Sequence, residues 1–435
     1  MSGETVYTGA RLITGEQVLD DAALVVRDGV IRQVGAAADI VAEGTVVEGT
    51  VAEGAVVSLR GKTVIPAIVN PHGHIGYMRG TTSDASFYSR ANVVDHLHRL
   101  AYYGVSTFQS LGTDRDDTEL AVRDDQRAGA LGERDVAQLF TAGAGIVAPT
   151  PGDTNGGPFF AADAVHEATG PDEVRAFVRG LAEKRVDAVK FWLDSRHGTK
   201  EKLGPEIYEA VIDEAHAHGI TVAAHIYTLE EAKAVIRAGA DIIAHLPRTG
   251  TDDELIALLK DNNVAVFTSM AIQRPPGEDW LDEPAFADIL PRDAVETLRA
   301  TIREKAPEPL FDTGAAYRGM EKTLVALADA GVRLVFSADT GLLAQIIGFA
   351  EHRELEALVA AGLSPLAALR LATEVSAELL GLADRGSLTV GKRADFVVLD
   401  EDPLEDITAT RRIADVYLEG TRVDREGLRK GWQNA

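Results

Sequence analysis

The hydrophobic pattern of the chain changes period twice. Up to about residue 62, apolar and polar residues alternate in short runs, "TVYTGARLIT" and "AALVVRDGVIRQVG", divided by Gly and Asp-Gly turns. Alternation at every second residue is the signature of strands with one buried face. The stretch "EGTVVEGTVAEGAVV" repeats every 5 residues around Glu43, Glu48 and Glu53 and reads as a hairpin extension. From Lys62 onward, short apolar runs alternate with helical periodicity. The runs are "TVIPAIVNPHGH", "GVSTFQSLG", "DVAQLFTAG", "VDAVKFWLD", "GITVAAHIY", "ADIIAHLP", "VAVFTSM" and "VRLVFSAD", eight in all. Thr228-x-x-Glu231 and Thr251-x-x-Glu254 have capping-box spacing and predict helix starts after two of them. Eight β-α units over about 300 residues predict an α/β fold of the (β/α)8 TIM-barrel type. The connections after the third run (Gly143 to about Gly170) and the seventh (Ala271 to about Gly331) are long, as substrate loops and lids are. After a helical "SPLAALRLATEVSAELLGLAD", strand patterns return in "GSLTVGKRADFVVLDEDPL" and "RIADVYLEGTRVDREGL". Residues 1–62 and 385–435 are therefore expected to build one small β-sandwich, with the barrel over 63–384.

Composition narrows the chemistry. The 435 residues exceed what one simple core accommodates. No apolar run reaches the roughly 18 residues of a membrane helix. The opening "MSGETVYTGARLITG" lacks a basic start followed by an apolar stretch, so a cytoplasmic location is expected. There are no cysteines, which excludes disulfides, thiolate nucleophiles and cysteine-held zinc. The net charge of −25 repels nucleic acid and anionic membrane, so neither is an expected partner; it says little about the small-molecule substrate that is expected instead.

The chain holds three His-x-His pairs: His72/His74, His96/His98 and His216/His218. On a strand, residues two apart share a face, whereas on an α-helix they point about 200° apart. "SRANVVDHLHRLAYYG" reads as helix, and "YEAVIDEAHAHG" as a helix end, so neither pair is expected to share a metal. His72 and His74 end the first barrel strand, on one face, where barrels carry their chemistry. Two readings are open for them: metal ligands, or histidines hydrogen-bonded in the barrel mouth. Lys190, His225, His245 and Asp339 also fall at or near C-terminal strand ends, and the fold would bring all six to one rim.

These segments resemble the amidohydrolase superfamily, in its imidazolonepropionase-like branch. "VIPAIVNPHGHIG" resembles the family's first-strand signature, "GADIIAHLP" and "FSADTG" its sixth- and eighth-strand segments, and "GLSPLAALRLATEVSAELLGLADRGSLTVGKRADFVVLDEDPLEDI" its tail. Ala67 and Asn70 depart from the pattern, which has Gly and Asp there. The resemblance implies two divalent metals: His72, His74 and Asp339 around one, His225 and His245 around the other, and Lys190, carboxylated, bridging both. The alternative for Lys190 is an ion pair with Asp339 in a one-metal site. Imidazole and carboxylate-type ligands without thiolate suit zinc first, then manganese, cobalt or iron. The implied reaction is hydrolysis of a C–N bond at a carbonyl (amide, dipeptide or N-acyl amino acid) by a metal-bridging hydroxide, with Asp339 as proton shuttle and Lys190 as the second catalytic residue. The alternatives are the same mechanism on an aryl amide, phenylurea, carbamate, lactam or lactone, or a mononuclear deaminase or imidazolonepropionase-like enzyme. Tyr227, His197 and Arg248 are the candidate substrate-binding residues. Lys233 is either a carboxylate ligand or a solvated helix lysine. Tyr77, Phe87 and Tyr88 would help to shape an apolar pocket. Association into a homo-oligomer is also an expectation from the resemblance.

Overall fold

The computed structural model describes residues 4–42, 54–150, 156–157, 160–196, 198–274, 277–287, 289–290, 292–304, 314–342 and 344–433. His197 and the part of the Glu43/Glu48/Glu53 repeat before Gly54 lie outside them.

All eight apolar runs contain a strand. Ile68–Gly73, Val105–Ser110 and Gln138–Thr141 form one parallel group. A second parallel group runs, in spatial order, Val165–Glu167, Gly145–Val147, Val189–Leu193, Val222–Ile226, Ile242–Ala244, Ala265–Phe267 and Leu334–Val335. Gly145–Val147 and Val165–Glu167 arise inside the connection expected to be loop. The groups touch at both margins. Gly73 bridges Thr340 in parallel, with Asp339 N donating to His72 O (3.2 Å) and His74 N to Thr340 O (2.8 Å). At the other margin Thr113 bridges Ala144, and Gly145 N donates to Gly112 O (2.9 Å). The fold is α/β with parallel strands.

The two-residue period of these strands decides what faces the site. Val189, Phe191 and Leu193 pack into the core shared with the helices, as do Val222, Ala224 and Ile226. The intervening Ala188, Ala223, Ile242, Ala244, Ala265, Phe267 and Val335 form a separate inner cluster of mostly small side chains. Lys190 and His225 fall on that inner parity, two residues beyond Ala188 and Ala223.

Helix starts follow local capping chemistry. Thr228 accepts from Glu231 N (3.1 Å), and the Glu231 side chain accepts from Thr228 N (2.8 Å), a complete capping box for the helix Leu229–Arg237. The second predicted box does not form. Asp252, not Thr251, caps the helix Asp253–Asp261, because its carboxylate sits in register to accept from Leu255 N (2.9 Å).

Both ends of the chain supply one hydrogen-bonded sheet. Its order is Thr421–Arg422, Ile413–Leu418, Phe396–Leu399, Thr63–Pro66, Glu4–Ile13, Val18–Arg27 and Val30–Ala36, with Gly54–Ser58 also paired, in parallel, to Glu4–Ile13. Tyr7 packs edge-on against Phe396 (5.1 Å) and Tyr417 (5.0 Å), joining the two halves in one apolar cluster. Thr63–Pro66 belongs to this sheet, with Pro66 opposite Phe396. At Ala67 the chain changes partner: Ala67 N donates to Asp395 O (3.0 Å) and Ile68 N to Gly104 O (2.9 Å). Ala67 is buried and does not take a positive φ, so the freedom of a glycine is not needed there. Among the described residues, no helix is long and apolar enough to cross a membrane.

Candidate active site

His72 is the next-to-last residue of the strand Ile68–Gly73, and His74 follows that strand directly. Their Nε2 atoms each lie 3.4 Å from Asp339 Oδ1, and His245 Nε2 lies 3.9 Å from Asp339 Oδ2. His72, His245 and Asp339 each offer a ligand atom within 4.8 Å of the others, and all three are buried. His225 Nδ1 is 3.0 Å from His245 Nε2, and Lys190 Nζ is 3.5 Å from His72 Nε2. The six residues singled out from the sequence are thus linked in one buried cluster.

Backbone conformation helps to gather them. His245 follows the inward-facing Ala244, so strict alternation would turn it outward. Its φ of 84° breaks the alternation, and Asp339 (48°) and Ser269 (43°) are likewise in the left-handed region. Such conformations are uncommon for residues other than glycine and concentrate at functional sites. Gly341 is required for closeness: a Cβ there would stand 1.6 Å from His74 O.

Hydroxyl groups orient the first pair. His72 Nδ1 meets Ser337 Oγ (2.9 Å), which in turn meets Ser269 Oγ (2.7 Å). His74 Nδ1 meets Thr113 Oγ1 (3.1 Å). Both rings therefore turn Nε2 toward Asp339. His225 Nε2 faces Asp194 Oδ2 (3.3 Å), which also pairs with Arg196 (3.2 Å). Asp194 was absent from the sequence-based set. Its signal was the same two-residue period, since Lys190, Trp192 and Asp194 share a parity.

The electrostatics favour cation binding. Burial pushes the imidazoles of His72, His74 and His245 down, and that of His225 down to about 4, so these rings keep a lone pair at neutral pH. Burial alone would raise the Asp339 carboxyl, but the neighbouring His74 and His245 rings and the Lys190 ammonium hold it well below the usual carboxylate range. Burial also pulls the Lys190 ammonium down to about 7. Asp339 Oδ1 and His245 Nδ1 are buried without a well-formed hydrogen bond. The orphaned Asp339 Oδ1, with the Nε2 atoms of neutral His72 and His74 each 3.4 Å away and that of His245 3.9 Å from Oδ2, fits a divalent cation.

The candidate substrate side divides in two. Against His74 stand Phe160 (4.8 Å between ring centres) and Trp192 (6.4 Å), with Tyr77 packed on Phe160 (5.1 Å) and on Tyr88 (4.5 Å). Near Asp194, the Arg248 guanidinium lies over the Tyr227 ring (4.5 Å). Phe87 sits farther out, under Arg79 (5.2 Å). Lys233 is neither solvated nor in the cluster, being ion-paired to Asp252 (2.6 Å) and Glu254 (2.7 Å).

Comparison with known proteins agrees with this architecture. A model of the amidohydrolase family matches residues 63–423. Imidazolonepropionase of Deinococcus radiodurans is 26% identical over 97% of this chain and 100% of its own length. Two solved structures share the fold. A Xaa-Pro dipeptidase with bound methionine is 22% identical at a TM-score of 0.73, over 97% of this chain and 99% of its own. Phenylurea hydrolase B is 22% identical at a TM-score of 0.74, over 98% of each. The chain belongs to the amidohydrolase family and is a hydrolase acting on C–N bonds.

Proposed function

We propose that this enzyme hydrolyses the amide bond of a dipeptide or N-acyl amino acid, in a metal-dependent site at the mouth of a closed (β/α)8 barrel. The observation that carries the reading is the convergence of His72, His245 and Asp339 within 4.8 Å, with His74 on the same carboxylate. In this reading the parallel strands close through the Gly73–Thr340 and Thr113–Ala144 bridges. In the same reading the terminal sheet, with Thr63–Pro66 as one of its strands, belongs to a composite β-sandwich domain built mainly from residues 1–62 and 385–435.

His72, His74 and Asp339 would hold one metal, His225 and His245 a second, and carboxylated Lys190 would join them. Zinc suits the donors best. When bound, such metals supply Lewis-acid polarisation and a lowered water pKa. Lys190 enters with a depressed pKa, so at neutral pH a large fraction is free amine, the form that adds carbon dioxide. Asp339 takes a proton as water adds to the carbonyl carbon. It returns that proton to the nitrogen as the C–N bond breaks. Tyr227 and Arg248 would line the substrate side.

A second reading keeps the reaction and changes the substrate to an aryl amide or phenylurea. The aromatic wall of Phe160, Trp192 and Tyr77 beside His74 favours it. The test is metal content by elemental mass spectrometry, followed by hydrolysis of N-acyl amino acids, dipeptides and aryl amides. Near two metals per chain and turnover of one of these classes are expected. A protein with no metal, or metal-loaded protein inert toward all three, would sink the reading.

A further inference from the structure

The helix Phe349–Ala360 carries two fully buried glutamates, Glu351 and Glu354, that do not enter the chemistry above. Both reach His72 through short relays. Glu354 accepts from Thr268 Oγ1 (2.6 Å), Met270 N (2.9 Å) and Ala271 N (2.6 Å). Thr268 Oγ1 in turn accepts from Ser337 N (3.2 Å), and the Ser337 hydroxyl meets the His72 ring. On the other side, Glu351 Oε1 accepts from Asn70 Nδ2 (2.8 Å), and Asn70 Oδ1 accepts from His72 N (3.1 Å). His72 is therefore held at its backbone N–H and at its ring, each time by a relay ending on the same helix.

We infer that Asn70 and Glu351 act as a positioning pair for His72, and that position 70 needs a carboxamide because it must donate on one side and accept on the other. The inference rests on the metal-site reading above. Asparagine offers both an N–H donor and a carbonyl acceptor, whereas ionised aspartate only accepts. An ionised aspartate in place of Asn70 would satisfy His72 N but bring two carboxylates together at Glu351, with no hydrogen between them unless the pair binds a proton. A glutamine in place of Glu351 presents an acceptor or a donor, whichever its neighbour requires. The residue that departs from the family pattern is thus matched to a carboxylate 281 positions away.

The test is a donor swap, read as zinc affinity by chelator competition at mildly alkaline pH, alongside the thermal midpoint of each metal-free form. N70D should bind zinc at least about tenfold more weakly than wild type, in the range typical for groups that orient a ligand, while E351Q should stay near wild type. The double variant N70D/E351Q, in which the introduced carboxamide donates to the introduced carboxylate, should recover most of the affinity. Recovery in the double supports the pairing even if N70D alone does not fold. Wild-type affinity in N70D, or a folded double as weak as N70D, overturns the positioning role while leaving the metal site standing. A wild type that takes up no zinc overturns both. A merely structural contact would shift the metal-free midpoint without the reciprocal rescue of affinity.

Discussion

Identical spacing has opposite consequences in two parts of this molecule. His72 and His74, at a strand end, bring both Nε2 atoms to 3.4 Å from one carboxylate oxygen. His96 and His98, in the helix Arg90–Tyr102, share nothing. His96 accepts from Gly76 N (2.9 Å) and donates to Met78 O (2.8 Å), while His98 turns to Asp135 O (3.0 Å). His216 and His218, at the end of Pro205–Ala217, also part, one toward Asp241 (2.9 Å) and the other toward Glu214 (3.4 Å). A motif of two histidines carries no chemistry until the backbone period is known.

The comparison breaks most sharply at Asp339. Asp339→Asn should keep its metal and lose about 10²- to 10⁴-fold in kcat, the usual share of a general acid–base group. Steady-state kinetics on protein of measured metal content checks this, and near-normal turnover would remove Asp339 from the proton path. Next comes Lys190→Ala, expected to lower metal content and to regain part of it with a short carboxylate such as acetate. One metal in both wild type and variant would make Lys190 a bystander.

The helical pair should behave as structure. His96→Asn is expected to leave metal content unchanged and cost about 1–3 kcal/mol through its two buried hydrogen bonds. Its pH signature has a definite sign. Burial lowers the His96 pKa from 6.5 to about 4, so between those values the unfolded chain binds the proton and the folded protein does not. Stability is complete above pH 6.5 and falls as pH drops through the window, by about 3 kcal/mol from this ring alone. Denaturation of wild type and His96→Asn across that range should show a shallower acid slope in the variant. A parallel slope would refute the assignment. The smallest effect is His218→Asn, expected within about 0.5 kcal/mol of wild type with unchanged metal. Metal loss in either helical variant would overturn the strand-versus-helix reasoning.

Much of this was legible because it is local. Short apolar runs set between helical patterns located the eight strand segments, and strand-end position singled out His72, His74, Lys190, His225, His245 and Asp339. What escaped was set by partners remote in sequence. Ser337 and Thr113 matter because of the rings they meet, 265 and 39 positions away. Glu351 and Glu354 lie among other charged residues on a helix that is buried on most of its sides, and nothing in its local sequence marks them as buried. Asp194 was within reach of the two-residue period that found Lys190. The Thr251 box failed by one residue, because a carboxylate at Asp252 offered the better-aligned acceptor.

The change of partners at Ala67 bears on how the protein is made. The strand Thr63–Pro66, which leads directly into the strand of His72, pairs on one side with Phe396–Leu399. A ribosome will have produced the whole catalytic region before that partner exists. The N-terminal strands must therefore wait, with one edge bare, through most of synthesis. Such late, long-range pairing slows folding and leaves an edge open to wrong partners. Chains cut short before Phe396 are accordingly expected to accumulate as aggregates rather than as a smaller enzyme.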